Sequence, residues 1–260
     1  MNKLILPYIT KTQKLILFLL FKFRFLTTNH IQKILGHKNP NRTLAWLKDL
    51  KEKGYIISMY QRNVRGENNK PTVVHLTPLA RHILKKQKDV ELEALSLIYK
   101  EKNRTKKFIN HCLALADIYL YFLITKNKTE KLQFFTKTTL FGYEYFPKPF
   151  PDAFIAIKND TKTKRYFLDL FDEYTPPFVY RKRIKQYLDY SVSGDWGANT
   201  NKALFPVILF VCPNESAKKH VYWYGKSVIE KSFEEIHLYV TTIDNIKFSK
   251  GNINPWQKVA

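Results

Sequence analysis

Hydrophobic positions in the first 90 residues come in short blocks whose period changes. The stretch LILFLLFKFRFL, Leu15 to Leu26, is almost wholly apolar and predicts a helix from about Thr12 to Phe23. It is too short to span a bilayer and Lys22 and Arg24 interrupt it, so a buried helix is expected. LTTNHIQKILG follows, with a helix-capping threonine at Thr27 or Thr28, a short helix and a glycine stop at Gly36. NPNRTLAWLKDLKEKG predicts a third helix, capped by Asn39 or Asn41 and ended by Gly54. Leu44, Leu47 and Leu50 form its expected buried stripe, and Asn41, Arg42, Lys48 and Lys51 lie largely off it. YIISMY and TVVHLT alternate as strands, joined by the polar loop QRNVRGENNKP. PLARHILKK predicts a closing helix that begins at Pro78.

The period changes again past residue 88. DVELEALSLIYKEKNRTK, residues 89–106, predicts an amphipathic linker helix, and KFINHCLALADIYLYFLI predicts a buried helix. His111 and Asp117 are its obvious polar side chains, and Asp117 needs a partner if it is buried. Strand patterns come next: LQFFTKTTLF, DAFIAI and RYFLDLF. A basic helix RKRIKQYLDYSV, the fully apolar strand FPVILFVC, a helix within SAKKHVYWYGKSVIEKSF and a last strand IHLYVTTI complete the chain. The pattern predicts an α+β protein with residues 1–88 as one domain, 89–106 as a linker and 107–260 as a mixed sheet with helices packed on it.

Charge sharpens this picture. Of the 260 residues, 44 are Lys or Arg and 22 are Asp or Glu, a net charge of +22. Residues 1–88 hold 18 of the basic residues and three acids (Asp49, Glu52, Glu67), so the charge is concentrated where a binding surface would sit. Phosphate neutralisation makes nucleic acid the expected partner. A solvated basic face on a protein–protein module is the competing reading. Helix, helix, helix, then a hairpin with a basic loop resembles the winged helix-turn-helix family. That resemblance implies that the third helix enters the major groove, presenting Asn41, Arg42, Lys48 and Lys51. It also implies that loop residues Arg62, Arg65 and Lys70 touch the backbone or minor groove. Cys112 and Cys212 lie far apart in apolar stretches and read as reduced thiols in a cytoplasmic protein that does not enter membranes. Glycine numbers only 8, and neither a P-loop nor a dinucleotide fingerprint is present.

The acids of the second half carry the candidate chemistry. In FPDAFIAI and YFLDLFDEY, Asp152 opens one strand and Asp169 lies near the end of the next. A turn near Asp160 to Thr163 puts them opposite one another, because the midpoint of 152 and 169 falls between 160 and 161. Two carboxylates side by side either hold a divalent ion or only cap and flank the sheet end.

HCLALADIYLYF, FPDAFIAI, YFLDLFDEYT, RKRIKQYLDY and FPVILFVCP, in that order, resemble the replication-relaxation family of plasmids and mobile elements, from Lys11 to about Pro213. The resemblance implies a winged helix joined to a PD-(D/E)XK, restriction-endonuclease-like domain. It makes Asp152 and Asp169 the ligands of Mg²⁺ or Mn²⁺, DNA the partner, and either a homo-oligomer or other mobile-element proteins the assembly. The sequence departs from that pattern at Phe171, which stands where a lysine usually polarises the attacking water. A cation from the following helix would have to replace it. Among Arg181, Lys182, Arg183 and Lys185, Lys185 is the first candidate and Arg183 the second, with Gln186 and Tyr190 in support. Three readings stay open: a DNA-binding replication or transfer protein with an inactive nuclease fold, a Mg²⁺-dependent endonuclease, and a transcription regulator whose second domain dimerises or senses a ligand.

Overall fold

The computed structural model describes residues 6–59, 71–87, 90–232, 235–249 and 253–259. Its contacts divide the chain into two units, 1–116 and 117–260. The division lies C-terminal to residues 89–106, the segment expected as a linker.

In the first unit, α1 (Lys11–Phe23) is capped by Thr10, whose side chain accepts from the Gln13 backbone while Gln13 returns the bond. Ile16, Leu17, Leu20 and Phe23 are buried along it, as the apolar run predicts. A strand the sequence reading did not anticipate, β1 (Phe25–Thr27), separates α1 from α2 (Thr28–Ile34). Thr27 is the cap of α2, and Gly36, at φ +69°, permits the stop. Asn39 caps α3 (Pro40–Glu52) with Pro40 at its first position, and Gly54, at φ +75°, follows its end. The hairpin strands are β2 (Ile56–Met59) and β3 (Val73–Leu76), antiparallel with Ile56 opposite Leu76; β1 pairs with the other edge of β3, giving the order β1-β3-β2. The closing helix is brief: a 3₁₀ turn at Pro78–Ala80, then α4 (Arg81–Leu84).

Two expectations need correction. Leu44 is 47% exposed, and the buried stripe of α3 is Thr43, Leu47 and Leu50. Spacings of four and three hold a line on one face, whereas two successive steps of three drift off it. The amphipathic helix expected over 89–106 is not formed by its described residues 90–105 either. Ala94–Ile98 and Glu101–Asn103 are 3₁₀ turns, separated by Lys100 at φ +66°. Glu101 is buried there and pairs with Arg24, itself at φ +70°. A buried ion pair between residues 77 apart in sequence outweighs the helical propensity of a local segment.

Helix α5 (Lys106–Thr125) crosses the division at 116. By length and composition it could span a bilayer, but Ile118, Leu120 and Phe122 are buried, and Phe122 meets Tyr166 and Trp256. Asp117 has its partner in Lys247, 3.7 Å away.

The second unit is built on a six-stranded mixed sheet of order β4-β5-β6-β7-β8-β9. β4 (Lys131–Thr136), β5 (Ala153–Lys158) and β6 (Thr163–Leu170) are antiparallel neighbours; β7 (Val207–Cys212) and β8 (Leu238–Thr242) continue parallel to β6; β9 (Gln257–Lys258) closes the edge antiparallel. With α5 before β4 and α6 (Pro177–Ser193) between β6 and β7, the order is αβββαβ. Three elements join those expected from sequence: α7 (Asp195–Asn199), α9 (Ile243–Ser249) and β9; α8 (Glu215–Ile229) was foreseen.

Alternation along β6 sorts the side chains. Phe167 and Asp169 lie on the face covered by α6, and Tyr166 and Leu168 lie on the other. The α6 side holds the core cluster, in which Phe167, Ile208, Phe210 and Leu238 of the sheet pack against Ile184 and Tyr187 of α6 and Val221 of α8. Gly225 lets α8 approach closely, since a Cβ there would lie 2.9 Å from Leu238 Cδ2.

Candidate functional site: a row of cations and acids across three strands

The expected turn falls between Lys158 and Thr163, and Ala153 stands opposite Leu168. Extending that register by one residue puts Asp152 opposite Asp169. The β4–β5 register, with Thr136 opposite Ala153, puts Lys137 opposite Asp152 by the same step. Lys137, Asp152 and Asp169 therefore form one rung across three strands, on the face beneath α6. The carboxylates are nearly removed from water, at 5% exposure for Asp152 and 6% for Asp169.

Each acid is held differently. Asp152 accepts the Leu170 backbone N–H on Oδ2 at 2.7 Å and the Lys137 ammonium on Oδ1 at 2.7 Å. It thereby does cap the sheet end, by satisfying the amide just past the last ladder pair. Asp169 does not face solvent. Its Oδ2 receives Arg183 Nε at 2.9 Å and the Tyr187 hydroxyl at 2.6 Å. Arg183 is 4% exposed and spends its other donors on the Pro149 carbonyl (2.8 Å), the Tyr187 hydroxyl oxygen (2.9 Å) and Gln186 Oε1 (3.4 Å). Arg183 and Tyr187 are one helical turn apart on α6, so both reach the same carboxylate.

Burial raises the Asp169 carboxyl above the usual carboxylate range, opposed by the Arg183 charge and reinforced by the nearby Asp152 charge. Burial works against the charged form of Arg183 as well, but the Asp169 charge and hydrogen bond hold its pKa above the ordinary value. Tyr187 is pushed well up by burial and by the Asp169 charge. It is a buried hydrogen-bond donor at neutral pH and not an accessible nucleophile.

The helix cation at the acids is Arg183. Lys185, the first candidate from sequence, is exposed, about 200° around the helix from Arg183. Tyr190 belongs to the core, where its hydroxyl donates to the Tyr145 carbonyl at 2.5 Å. Phe171 packs edge-on against Tyr180 and Phe210, with ring centroids 4.7 and 5.0 Å apart. Asp172, three residues beyond Asp169, closes a local turn by accepting the Tyr174 N–H. Lys137 was missed. Its signal was the β4–β5 register, which a long connection hides from sequence.

These residues do not fit a divalent ion. An ion on Asp169 would have to share the carboxylate with a buried guanidinium of like charge, and among the described residues no third acid, histidine or cysteine joins the pair to complete a coordination sphere.

In the first unit Asn41, Arg42, Lys48 and Lys51 are all exposed on α3. Arg42 lies over the Trp46 ring at 5.0 Å, and Lys48 is 3.9 Å from Glu52. Arg62, Arg65 and Lys70 lie outside the described residues.

The sequence model of the family described as replication-relaxation matches residues 17–208. No curated protein matches the chain. Among solved structures, restriction endonuclease FokI aligns with a TM-score of 0.36 and 13% identity, over 92% of this chain and 43% of that one. FokI bound to DNA aligns with a TM-score of 0.32 and 14% identity, over 92% and 44%. The chain thus spans less than half the length of these endonucleases, and the fold is read from its own strand order.

Proposed function

Because the chain belongs to the replication-relaxation family, we propose that it is a DNA-binding protein of a plasmid or other mobile element, in which a winged-helix first unit docks on DNA and a nuclease-like second unit serves as a scaffold without cutting. It acts in the replication, relaxation or transfer of that element. Support for docking comes from the order of three helices and a hairpin, the charge of +22 and the exposed Arg42, Lys48 and Lys51 on α3. The αβββαβ order with an acid pair at the end of its hairpin supports the nuclease-like reading. One observation supports the non-cutting half: the protein's own Arg183 and Tyr187 converge on Oδ2 of Asp169, so a metal would have to share that carboxylate with a buried guanidinium.

The test is incubation with supercoiled plasmid and Mg²⁺ or Mn²⁺, with Asp152→Ala alongside. Retarded but intact plasmid for both proteins is the expected result. Nicking by the wild type that Asp152→Ala loses would establish an endonuclease and overturn the scaffold reading. Absence of retardation at low salt would overturn the DNA-binding reading.

A further inference from the structure

On the sheet face opposite the acid row, a cavity of about 420 Å³ opens at the other end of the strands. Its floor includes Leu209, Tyr166 and Tyr239, and its walls are Phe122, near the end of α5, and Trp256, beside β9. Lys164 and Asp169 are separated by five residues of β6, roughly 16 Å of strand, and point to opposite faces. The cavity is therefore distinct from the site described above.

We propose that this cavity binds one nucleotide, with the base among the aromatic rings, its N–H edge toward Glu130 and its phosphate at Lys164. The volume is within the range of small-molecule sites and far too small for a duplex. The rings suit a flat π-system: Phe122 lies 6.0 Å from Tyr166 and 6.3 Å from Trp256, tilted at 42° and 32°, so they leave faces for a third ring instead of stacking closely on one another. Every base has such a face, and stacking on aromatic side chains is the common currency of single-strand recognition.

The polar groups are arranged to match. Glu130, Tyr121, Tyr166 and Tyr239 all line the cavity, and burial raises the Tyr166 phenol, with the Glu130 charge and the Tyr239 and Tyr121 hydroxyls adding to the rise. Glu130 accepts the Asn127 N–H through Oε2 at 2.8 Å, which fixes its orientation. Lys126 is committed to capping carbonyls, those of Glu130 at 3.0 Å and Asn127 at 3.4 Å. Lys164 is exposed at the rim and is the cation placed for a phosphate. An apolar ligand would give Glu130 no donor beyond the Asn127 N–H, and an anion without a ring would leave the aromatic walls wet.

The inference is independent of the docking role of α3. Equilibrium dialysis of the full chain against dGMP, deoxyguanosine and a short single-stranded oligonucleotide tests it, repeated with Arg42→Ala/Lys48→Ala. Saturable dGMP binding, weakened roughly tenfold by Tyr166→Leu and retained in the α3 variant, is expected. Lys164→Glu should weaken dGMP and leave deoxyguanosine unchanged. If the oligonucleotide binds more tightly than dGMP in the α3 variant, the occupant is a base within a strand; if dGMP binds as tightly, it is a free nucleotide. Absence of saturation up to about 10 mM, or dGMP binding indifferent to both Tyr166→Leu and Lys164→Glu, overturns the proposal. Circular dichroism of each variant separates loss of the site from loss of the fold.

Discussion

Arg183 donates through Nε to the Asp169 oxygen that also receives the Tyr187 hydroxyl, at 2.9 and 2.6 Å. The acid and the guanidinium are both buried, so each depends on the other to stay charged. Asp169, a candidate acid in the sequence, and Arg183, the second-choice cation there, form a buried ion pair that joins α6 to the end of β6.

Removing one partner alone should therefore be costly. Arg183→Met leaves Asp169 buried without its counter-charge and should destabilise the second unit by about 3–5 kcal/mol. Arg183→Met/Asp169→Leu should recover much of that loss, since an apolar pair needs no charge compensation. Urea unfolding followed by the fluorescence of buried Trp196 measures both. A single variant that loses less than about 1 kcal/mol would show that the pair contributes little.

Divalent ions should not stabilise the wild type. A ligand that binds only the folded state raises the melting temperature with the logarithm of its concentration. With Arg183 and Lys137 on the two acids, Mg²⁺ and Mn²⁺ should give no rise beyond that of NaCl at matched ionic strength. A rise that Asp152→Asn abolishes would mean that the ion displaces the cations, and the scaffold reading would fail.

Docking through α3 has a salt signature. Each phosphate contact contributes roughly 0.9 to the slope of log affinity against log salt. Arg42→Ala/Lys48→Ala should weaken binding at low salt and flatten the slope by about 2 if both residues touch phosphates. Fluorescence anisotropy with labelled duplex at several salt concentrations reads both quantities. Unchanged affinity and slope would place the DNA surface elsewhere.

Lys22 gives the first unit a pH dependence. Burial lowers its pKa from 10.5 to about 8. The native state then binds fewer protons than the unfolded chain between those values, so this residue's contribution to stability rises with pH across that window and is least favourable below it. Lys22→Met should raise the urea midpoint at neutral pH and remove part of the climb between about pH 8 and pH 10. Parallel pH profiles for the two proteins would show that Lys22 is solvated.

The sequence by itself located several helix ends, which local chemistry controls. Gly36 and Gly54 were legible as stops, and the caps were narrowed to Thr27 or Thr28 and to Asn39 or Asn41, because caps and left-handed turns need only a few adjacent residues. The facing of Asp152 and Asp169 was readable because a short hairpin fixes its own register. The tertiary structure decided what distance in sequence conceals. It chose Arg183 over Lys185, since two residues on a helix differ by about 200° in direction and only packing against β6 selects the side that is buried. It brought Lys137 to Asp152, since the connection between β4 and β5 is too long to dictate a register. It set Ala94–Ile98 and Glu101–Asn103 as 3₁₀ turns where a helix was expected and turned Glu101 toward Arg24, because a buried charge accepts whichever conformation lets it meet its partner.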